Sequence, residues 1–503
     1  MISRRPSGRR TSGFLLPVVL GIFGSTVSFA WSWQPSYWGD EAASVVSAER
    51  SLASLFRLLG HIDAVHGVYY VFLHFWIELF GASEVSTRLP SALAIGAATA
   101  GTFVLTRMVL SRGTAVVAAA VFAILPRVTY MGAESRSTAL ATMLAVWTMI
   151  VLLALLHPRT SPTPTFRMFW VGYAAVLAAG FAVFLYLVLL IPVHLLVVLL
   201  MTPAGPNRNR ALRRWAAATA GGLLIASPIL YWGLQQREQI SFLARRPQVD
   251  VLTAAVDQWF LGAPLAAVAW ALILIALLVT VARWRRRMFA ARSRAAVLGV
   301  ALTWMLLPST VLLIGTHLIA PMYSLRYLSI CTPAVAVAMA MGVVALHRRR
   351  YQGAALALIA AAFLPTYIAQ RGDFAKNGGS DLRQVADVLR VQARPGDAVV
   401  FDESTLPSRR PRLALHLYPD AFTGLVDITL LQSYRETDSL WDTTVPLVSG
   451  LPGLSATSRV WLCELSGSPT ASSEADVKTL QEYGFSVGKT ILVNRTGIIE
   501  MTR

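Results

Sequence analysis

Between Met168 and Met201 the chain runs for 34 residues without a single Asp, Glu, Lys or Arg. As one helix, rising about 1.5 Å per residue, it would be roughly 51 Å long, well past the ~30 Å hydrocarbon core of a bilayer. Two antiparallel spans fit instead, with a turn near Phe181–Tyr186. Further apolar stretches, uncharged except for Arg127 near the end of one, lie near 14–33, 89–106, 113–131, 137–156, 215–233, 259–282, 295–314, 327–346 and 351–370, which brings the expected count to about 11. Only 14% of the residues are charged, 55% are hydrophobic and mean hydropathy is +0.57. A soluble globular chain carries about 25% charge and could not hide this much apolar surface. Two cysteines, Cys331 and Cys463, exclude a disulfide framework or a Cys-rich zinc module. The expected fold class is therefore an α-helical polytopic membrane protein.

A formal charge of +18 invites a nucleic-acid reading, and the placement of the charge answers it. Alternate connections, 1–13, 107–112, 157–167, 202–214, 283–294 and 347–350, hold 21 Arg and no acid. The opposing loops, 34–88, 127–136, 234–257 and 315–326, hold 9 Arg against 10 acids, and the chain from Arg371 onward holds 14 basic and 16 acidic residues. The basic excess thus follows the positive-inside rule, and no nucleic-acid partner is expected. Cysteines introduced at Gly205, Ala290 and Arg350 are expected to stay shielded from an impermeant external thiol reagent, with a cysteine added at the C-terminus accessible to it. Labelling of a cysteine at 290 from outside would overturn the orientation. The first apolar run resembles a signal peptide with a cleavage-like Ser28-Phe29-Ala30, yet it is longer than a typical h-region and ten spans follow. It is expected to stay as an uncleaved anchor.

Two extracytoplasmic pieces are large. In the first outer loop, 34–88, the stretch His66–Phe80 is apolar and aromatic but short for a span, so it is expected to lie along the outer interface. The second piece, 372–503, follows a transmembrane module of residues 1–371. It alternates helix at Asp381–Val391, a turn at Pro395-Gly396-Asp397, strand at Ala398–Phe401, strand at Arg459–Leu465, helix at Ser473–Tyr483 and strand at Thr490–Asn494. That pattern predicts a small C-terminal α/β domain with no GxGxxG, P-loop or His/Cys cluster.

All ten acids before residue 371 fall in outer loops or at outer helix ends. Asp40 and Glu41 form an adjacent pair directly after the first span. A carboxylate among Trp31, Trp33, Tyr37 and Trp38 is expected to be desolvated, which raises its pKa. Farther along, Asp63, His66 and Tyr70 share one face at helical spacing, with Tyr69 beside them. Glu49, Glu78 and Glu84 read as ordinary wetted loop residues, and His194 and His317 as core groups. Asp63 with His66, or Asp40 with Glu41, offers oxygen and nitrogen ligands, so a divalent cation is left open as the one cofactor; no HxxxH or cysteine ligand supports it.

The ordered series Asp40-Glu41, Asp63…His66-Gly67-Val68-Tyr69-Tyr70 and Glu84…Arg88-Leu89-Pro90-Ser91-Ala92-Leu93-Ala94 resembles the opening of the GT-C glycosyltransferases. Within them it is similar to the protein-mannosyltransferase-like and aminoarabinose-transferase-like branch of the glycosyltransferase family 39 type. Tyr130-Met-Gly-Ala-Glu134-Ser-Arg136-Ser-Thr-Ala-Leu140 and Arg326-Tyr327-Leu328 extend the resemblance through residues 14–346, and the tail agrees in placement only. Where the family often has His-Pro-Pro this chain has Val65-His66-Gly67, and Ser137-Thr138 replaces an aromatic. The resemblance implies sugar transfer from a polyprenyl-phosphate donor to an envelope acceptor (glycolipid, glycan or protein) on the outer face, and Arg outnumbering Lys 41 to 3 suggests a GC-rich bacterial genome, hence a bacterial plasma membrane. It implies Asp40 as the base that takes the acceptor proton, with inversion, and Glu41 second to it. Arg326, with Arg136, would hold the donor phosphate, and Glu134 would lie beside Arg136 as its partner or as a donor-site group. Mannose is the expected sugar and arabinofuranose the alternative. A lipid or solute transporter or flippase would instead put charges at mid-membrane and show repeated halves, neither of which is visible here.

Overall fold

The computed structural model describes residues 12–157, 164–239, 243, 249–286, 289–466 and 470–503; the basic stretch 1–11 and most of the 240–248 loop lie outside the described residues. In chain order the helices begin with α1 (Ser12–Phe29), α2 (Gly39–Ala48), α3 (Leu52–His61) and α4 (Gly67–Phe80). There follow α5 (Glu84–Val109), α6 (Arg112–Ile124), α7 (Pro126–Met131), α8 (Thr138–Leu156), α9 (Pro164–Val183), α10 (Ile191–Met201) and α11 (Pro206–Gln235). Next come α12 (Val251–Asp257), α13 (Ala263–Arg285), α14 (Phe289–Leu318), α15 (Thr332–Ala345) and α16 (Arg349–Ala369). The tail adds α17 (Leu382–Gln392), β1 (Ala398–Phe401), α18 (Leu413–Leu417), β2 (Val426–Asp427), β3 (Leu430–Gln432), β4 (Thr443–Thr444), α19 (Leu447–Gly450), β5 (Arg459–Leu465), α20 (Thr470–Glu482), β6 (Ser486–Leu492) and β7 (Thr496–Thr502). Two compact units result: one joins 1–30 to 88–368, the other joins 31–87 to 369–503.

In the first unit the expected spans fall on apolar helices, the one at 113–131 being broken at the extended Leu125 into α6 and α7. Among the described residues seven helices are long and apolar enough to cross a bilayer, and the other expected spans correspond to the shorter apolar helices at Leu15–Phe29, Arg112–Ile124, Met168–Val183 and Leu185–Met201. The uncharged 34-residue stretch breaks where two spans require it. Phe184 is extended, and a 3-10 turn, Leu185–Leu190, leads into α10 with Pro192 in its first turn, where proline costs no hydrogen bond. Small residues let these helices touch. A Cβ on Gly96 of α5 would lie 1.9 Å from Ser25 Oγ of α1, and one on Gly24 would lie 2.2 Å from Thr99 Oγ1. Such close backbone approach is how membrane helices gain packing without a hydrophobic driving force.

The second unit has a five-stranded sheet of order β2-β1-β5-β7-β6, in which β1 runs parallel to β2 and β5, and β7 antiparallel to β5 and β6. Successive side chains alternate between two cores, as the strand period of two requires. Val399, Phe401, Trp461 and Cys463 pack with Leu382, Val385 and Leu389 of α17; Ala398, Val400, Val460 and Leu462 pack with Leu480 of α20. Tyr37, Ala42 and Val45 of the first outer loop join the first of these cores, so loop and tail fold as one body.

Glu49 and Glu84 depart from the wetted-loop expectation. Glu84 accepts from Arg383 Nε (3.0 Å) and Nη2 (2.5 Å) and from the Tyr418 hydroxyl (2.5 Å), all of the tail. Glu49 pairs with Arg435 at 2.7 Å, and burial raises its pKa despite that arginine. Both carboxylates fasten loop to tail. Glu78 keeps to expectation: exposed, 3.4 Å from His74.

One carboxyl in this domain sets a pH dependence. Glu464 is 4% exposed on β5 and neither oxygen has a hydrogen-bond partner among the described residues. Burial, then the charges of Asp402 and Asp476, push its pKa up to about 8. The folded state therefore holds this proton where the unfolded chain, with an ordinary pKa near 4.5, has lost it. Stability is greatest below the unfolded value and falls as pH rises toward 8. Glu464→Gln is expected to flatten the dependence of melting temperature on pH between 5 and 8.5, and to stabilise the protein at pH 8 by a few kcal/mol at most, on the order of the linked shift. A variant whose melting temperature tracks wild type across that range would remove Glu464 as the cause.

Candidate functional site

In the loop-and-tail unit, Asp40 and Glu41 occupy the first turn of α2, where the helix dipole favours carboxylates. Trp38 precedes the helix in extended conformation, and Gly39 opens it under tight constraint: a Cβ there would lie 2.2 Å from the Ser408 carbonyl oxygen. Only glycine permits that approach, so the segment around Ser408 presses against the turn that carries the acid pair. Asp40 is half-buried and Glu41 fully buried. Of the four aromatics expected around Asp40, Tyr37 and Trp38 are buried, but Trp31 (60%) and Trp33 (38%) are exposed. Tyr37 is fixed from both ends, its hydroxyl donating to Ala82 O (2.8 Å) while its N–H reaches Tyr418 Oη (3.3 Å).

Asp63, His66 and Tyr70 do come together, though not on a continuous helix. Asp63 is left-handed (φ 60°) and caps a 3-10 turn, Ala64–His66, before α4 starts at Gly67. The Tyr70 hydroxyl donates to Asp63 Oδ2 at 2.9 Å, and the His66 and Tyr70 rings lie 5.9 Å apart. Tyr69, on the next helical position, is buried against Phe72. Among the described residues no three His, Cys, Asp or Glu side chains converge to hold a metal ion. Asp63 and His66 thus lack a third protein ligand of those types, and one Asp63 oxygen already takes a tyrosine proton.

In the helical unit, Glu134 and Arg136 sit in the bend between α7 and α8. Glu134 is 3% exposed, and the Arg136 carbonyl accepts from Ser91 Oγ at 3.3 Å. Arg326, half-buried, caps the 3-10 turn Tyr327–Cys331 that leads into α15. This turn is held on every side. Ser329 Oγ donates to Arg326 O (2.6 Å), Trp304 Nε1 to Ile330 O (3.1 Å) and Tyr186 Oη to Met322 O (3.2 Å), while the Tyr186 and Tyr327 rings stack at 4.7 Å.

Arg127 was legible only as a loop charge, and the structure gives it far more. It is 5% exposed, with Nε donating to Gln258 O and Nη2 to Asp257 O, both at 2.8 Å. Gln258 in turn donates to Ser309 Oγ (2.9 Å) and accepts from Tyr323 Oη (2.5 Å). Burial lowers the Arg127 pKa to about 10; Tyr130 opposes this, Arg326 adds to it and Glu134 opposes it. Arg127 therefore remains charged at neutral pH, in the field of Arg326. Two guanidinium groups with few nearby acids make a place that attracts a phosphate.

The fold can now be compared with known ones. ArnT from Cupriavidus metallidurans bound to undecaprenyl phosphate superposes with a TM-score of 0.57, over 98% of each chain at 14% identity. AglB, the archaeal oligosaccharyltransferase from Archaeoglobus fulgidus in complex with an inhibitory peptide and a dolichol-phosphate, gives 0.52, with 91% of this chain, 70% of that one and 12% identity. The arabinofuranosyltransferase AftD from Mycobacteria gives 0.51 over 99% of this chain but 40% of its own length, at 16% identity. The family model for dolichyl-phosphate-mannose-protein mannosyltransferase matches residues 68–232. This chain has the GT-C fold. No curated protein sequence matches it. At such identities the structural likeness shows the fold alone.

Proposed function

We propose that this GT-C chain is a membrane glycosyltransferase that moves a sugar from a polyprenyl-phosphate donor to an acceptor hydroxyl outside the cytoplasm. The observation that carries the reading is the positioned, mutually repelling pair Arg127 and Arg326 on a GT-C fold, within a segment rich in hydrogen-bond donors. The likeness to proteins solved with undecaprenyl phosphate and dolichol-phosphate supports the donor class.

In this mechanism Asp40 accepts the acceptor hydroxyl proton as that oxygen attacks the anomeric carbon. The bond from that carbon to the phosphate oxygen breaks on the opposite face, so configuration inverts and polyprenyl phosphate departs. Arg326 meets the negative charge that grows on the departing phosphate, with Arg127 adding field from its buried position and Arg136 a further cation. Glu41, buried on the same helical turn, orients Asp40 or substitutes for it. No step is assigned to a metal. Mannose is the sugar first expected, in line with the family model over 68–232, and arabinofuranose is the alternative.

The test is incubation of the purified protein in lipid with radiolabelled polyprenyl-phosphate mannose, other hexoses and arabinofuranose, together with envelope glycolipid, glycan and protein acceptors. One donor is expected to transfer label well above the rest, with inversion at the anomeric centre. Absence of transfer and of donor hydrolysis across the panel would overturn the reading.

A further inference from the structure

From Gln258 to Gly372 the chain contains no Asp or Glu over 115 residues, so any arginines that meet within it go unbalanced locally. Two do meet. Arg283, in the last turn of α13, and Arg294, near the start of α14, line a shallow open cleft. Thr280 supplies a hydroxyl to its wall, and Val279 and Met341 supply apolar surface. The two guanidinium groups stand in each other's field and repel. Arg283 Nη2 donates to His347 Nε2 at 2.9 Å, which makes that imidazole a neutral acceptor and adds no negative charge. The wall itself is firm. A Cβ on Gly342 of α15 would lie 2.0 Å from the Leu272 carbonyl of α13, so these backbones are already in contact beside the cleft.

Two guanidinium groups in each other's field repel, and an anion between them relieves that repulsion. The cleft lies at the arginine-rich end of three membrane helices, beside the 283–294 and 347–350 connections that carry 9 of the 21 positive-inside arginines. Basic pockets between membrane helices on that side attract anionic headgroups, and the planar guanidinium fork matches a phosphate. An inorganic phosphate would have no use for the apolar wall, whereas a lipid has a chain to lay along it.

We propose that this cleft binds the phosphate of an anionic phospholipid from the cytoplasmic leaflet, held between Arg283 and Arg294 with an acyl chain against Val279 and Met341. The site is independent of the transferase reading, since it calls on none of the residues given roles there.

The full-length protein, delipidated in neutral detergent, is to be titrated with dioleoylphosphatidylglycerol, dioleoylphosphatidylcholine and inorganic phosphate, with bound species counted by native mass spectrometry. The anionic lipid is expected to be retained over the zwitterionic one. Arg283→Ala or Arg294→Ala should each weaken it about fivefold and the pair roughly 30-fold, at the energy of one basic residue near an anionic surface. Arg349→Ala with Arg350→Ala removes the same charge from exposed positions that do not line the cleft, and should change retention less than about twofold because exposed charges are screened by salt. Equal weakening in that control pair, equal retention of phosphatidylcholine, or binding of inorganic phosphate as tight as that of the anionic lipid would each overturn the proposal. Should the double alanine variant fail to fold, Arg283→Lys with Arg294→Lys keeps the charge and loses the fork. Weakened retention there supports the site and unchanged retention overturns it.

Discussion

Replacing Asp40 by Asn is expected to lower transfer by roughly 10²-fold or more while leaving the fold and donor binding largely intact, because it removes a general base. Asn is close to isosteric, and Gly39 and Trp38 form the entry to α2. The measurement is turnover at saturating donor and acceptor, with donor binding followed separately. Glu41→Gln serves as the companion variant. Loss in Asp40→Asn with Glu41→Gln largely active assigns the base to Asp40; the reverse result moves the role to Glu41. Full activity in both would take the acid pair out of the chemistry.

The second large effect concerns Arg326. Arg326→Ala is expected to lower transfer by about 10²-fold or more, the scale of losing one preorganised donor to developing charge. Arg326→Lys should fall between the two, since lysine keeps the charge but cannot present two parallel N–H groups. A residue that merely anchors a helix end at the interface would accept lysine freely, because both side chains snorkel. Transfer and donor hydrolysis at matched protein amounts separate the two. Activity of Arg326→Lys at the wild-type level would remove this residue from donor binding. The 3-10 turn it caps is tied down by Ser329 and Trp304 through the backbone carbonyls of Arg326 and Ile330 and by Tyr186 stacked on Tyr327, so the substitution itself should leave the turn in place.

Much of the helical unit was readable because the bilayer leaves one solution for an uncharged apolar run. With no water to satisfy backbone groups, such a run must be helical, and 34 residues without charge had to turn near Phe184. In the tail, β1 and β5 fall at Ala398–Phe401 and Arg459–Leu465, the bounds expected from sequence, because both are buried runs rich in β-branched and aromatic residues. By contrast β6 begins four residues before its expected start, at Ser486, and β7 was not foreseen. Nearly every residue of β6 is exposed at the sheet edge, so it carries no apolar alternation to mark it.

The features legible in the chain are local: which segments are helices, which way the arginines sort, and that acids gather after the first span. Each follows from the short-range cost of putting charge or an unpaired amide in hydrocarbon. Partnership over long separations emerges only on folding. Glu84 meets Arg383 and Tyr418 about 300 and 334 positions away, and Glu49 meets Arg435 across 386. Arg127 reaches the backbone of Asp257 and Gln258 across about 130. No periodicity in either segment encodes such a pairing. A charge in a loop looks the same whether water or a distant chain will cover it, and only the packed chain removes the water and gives the charge its partner.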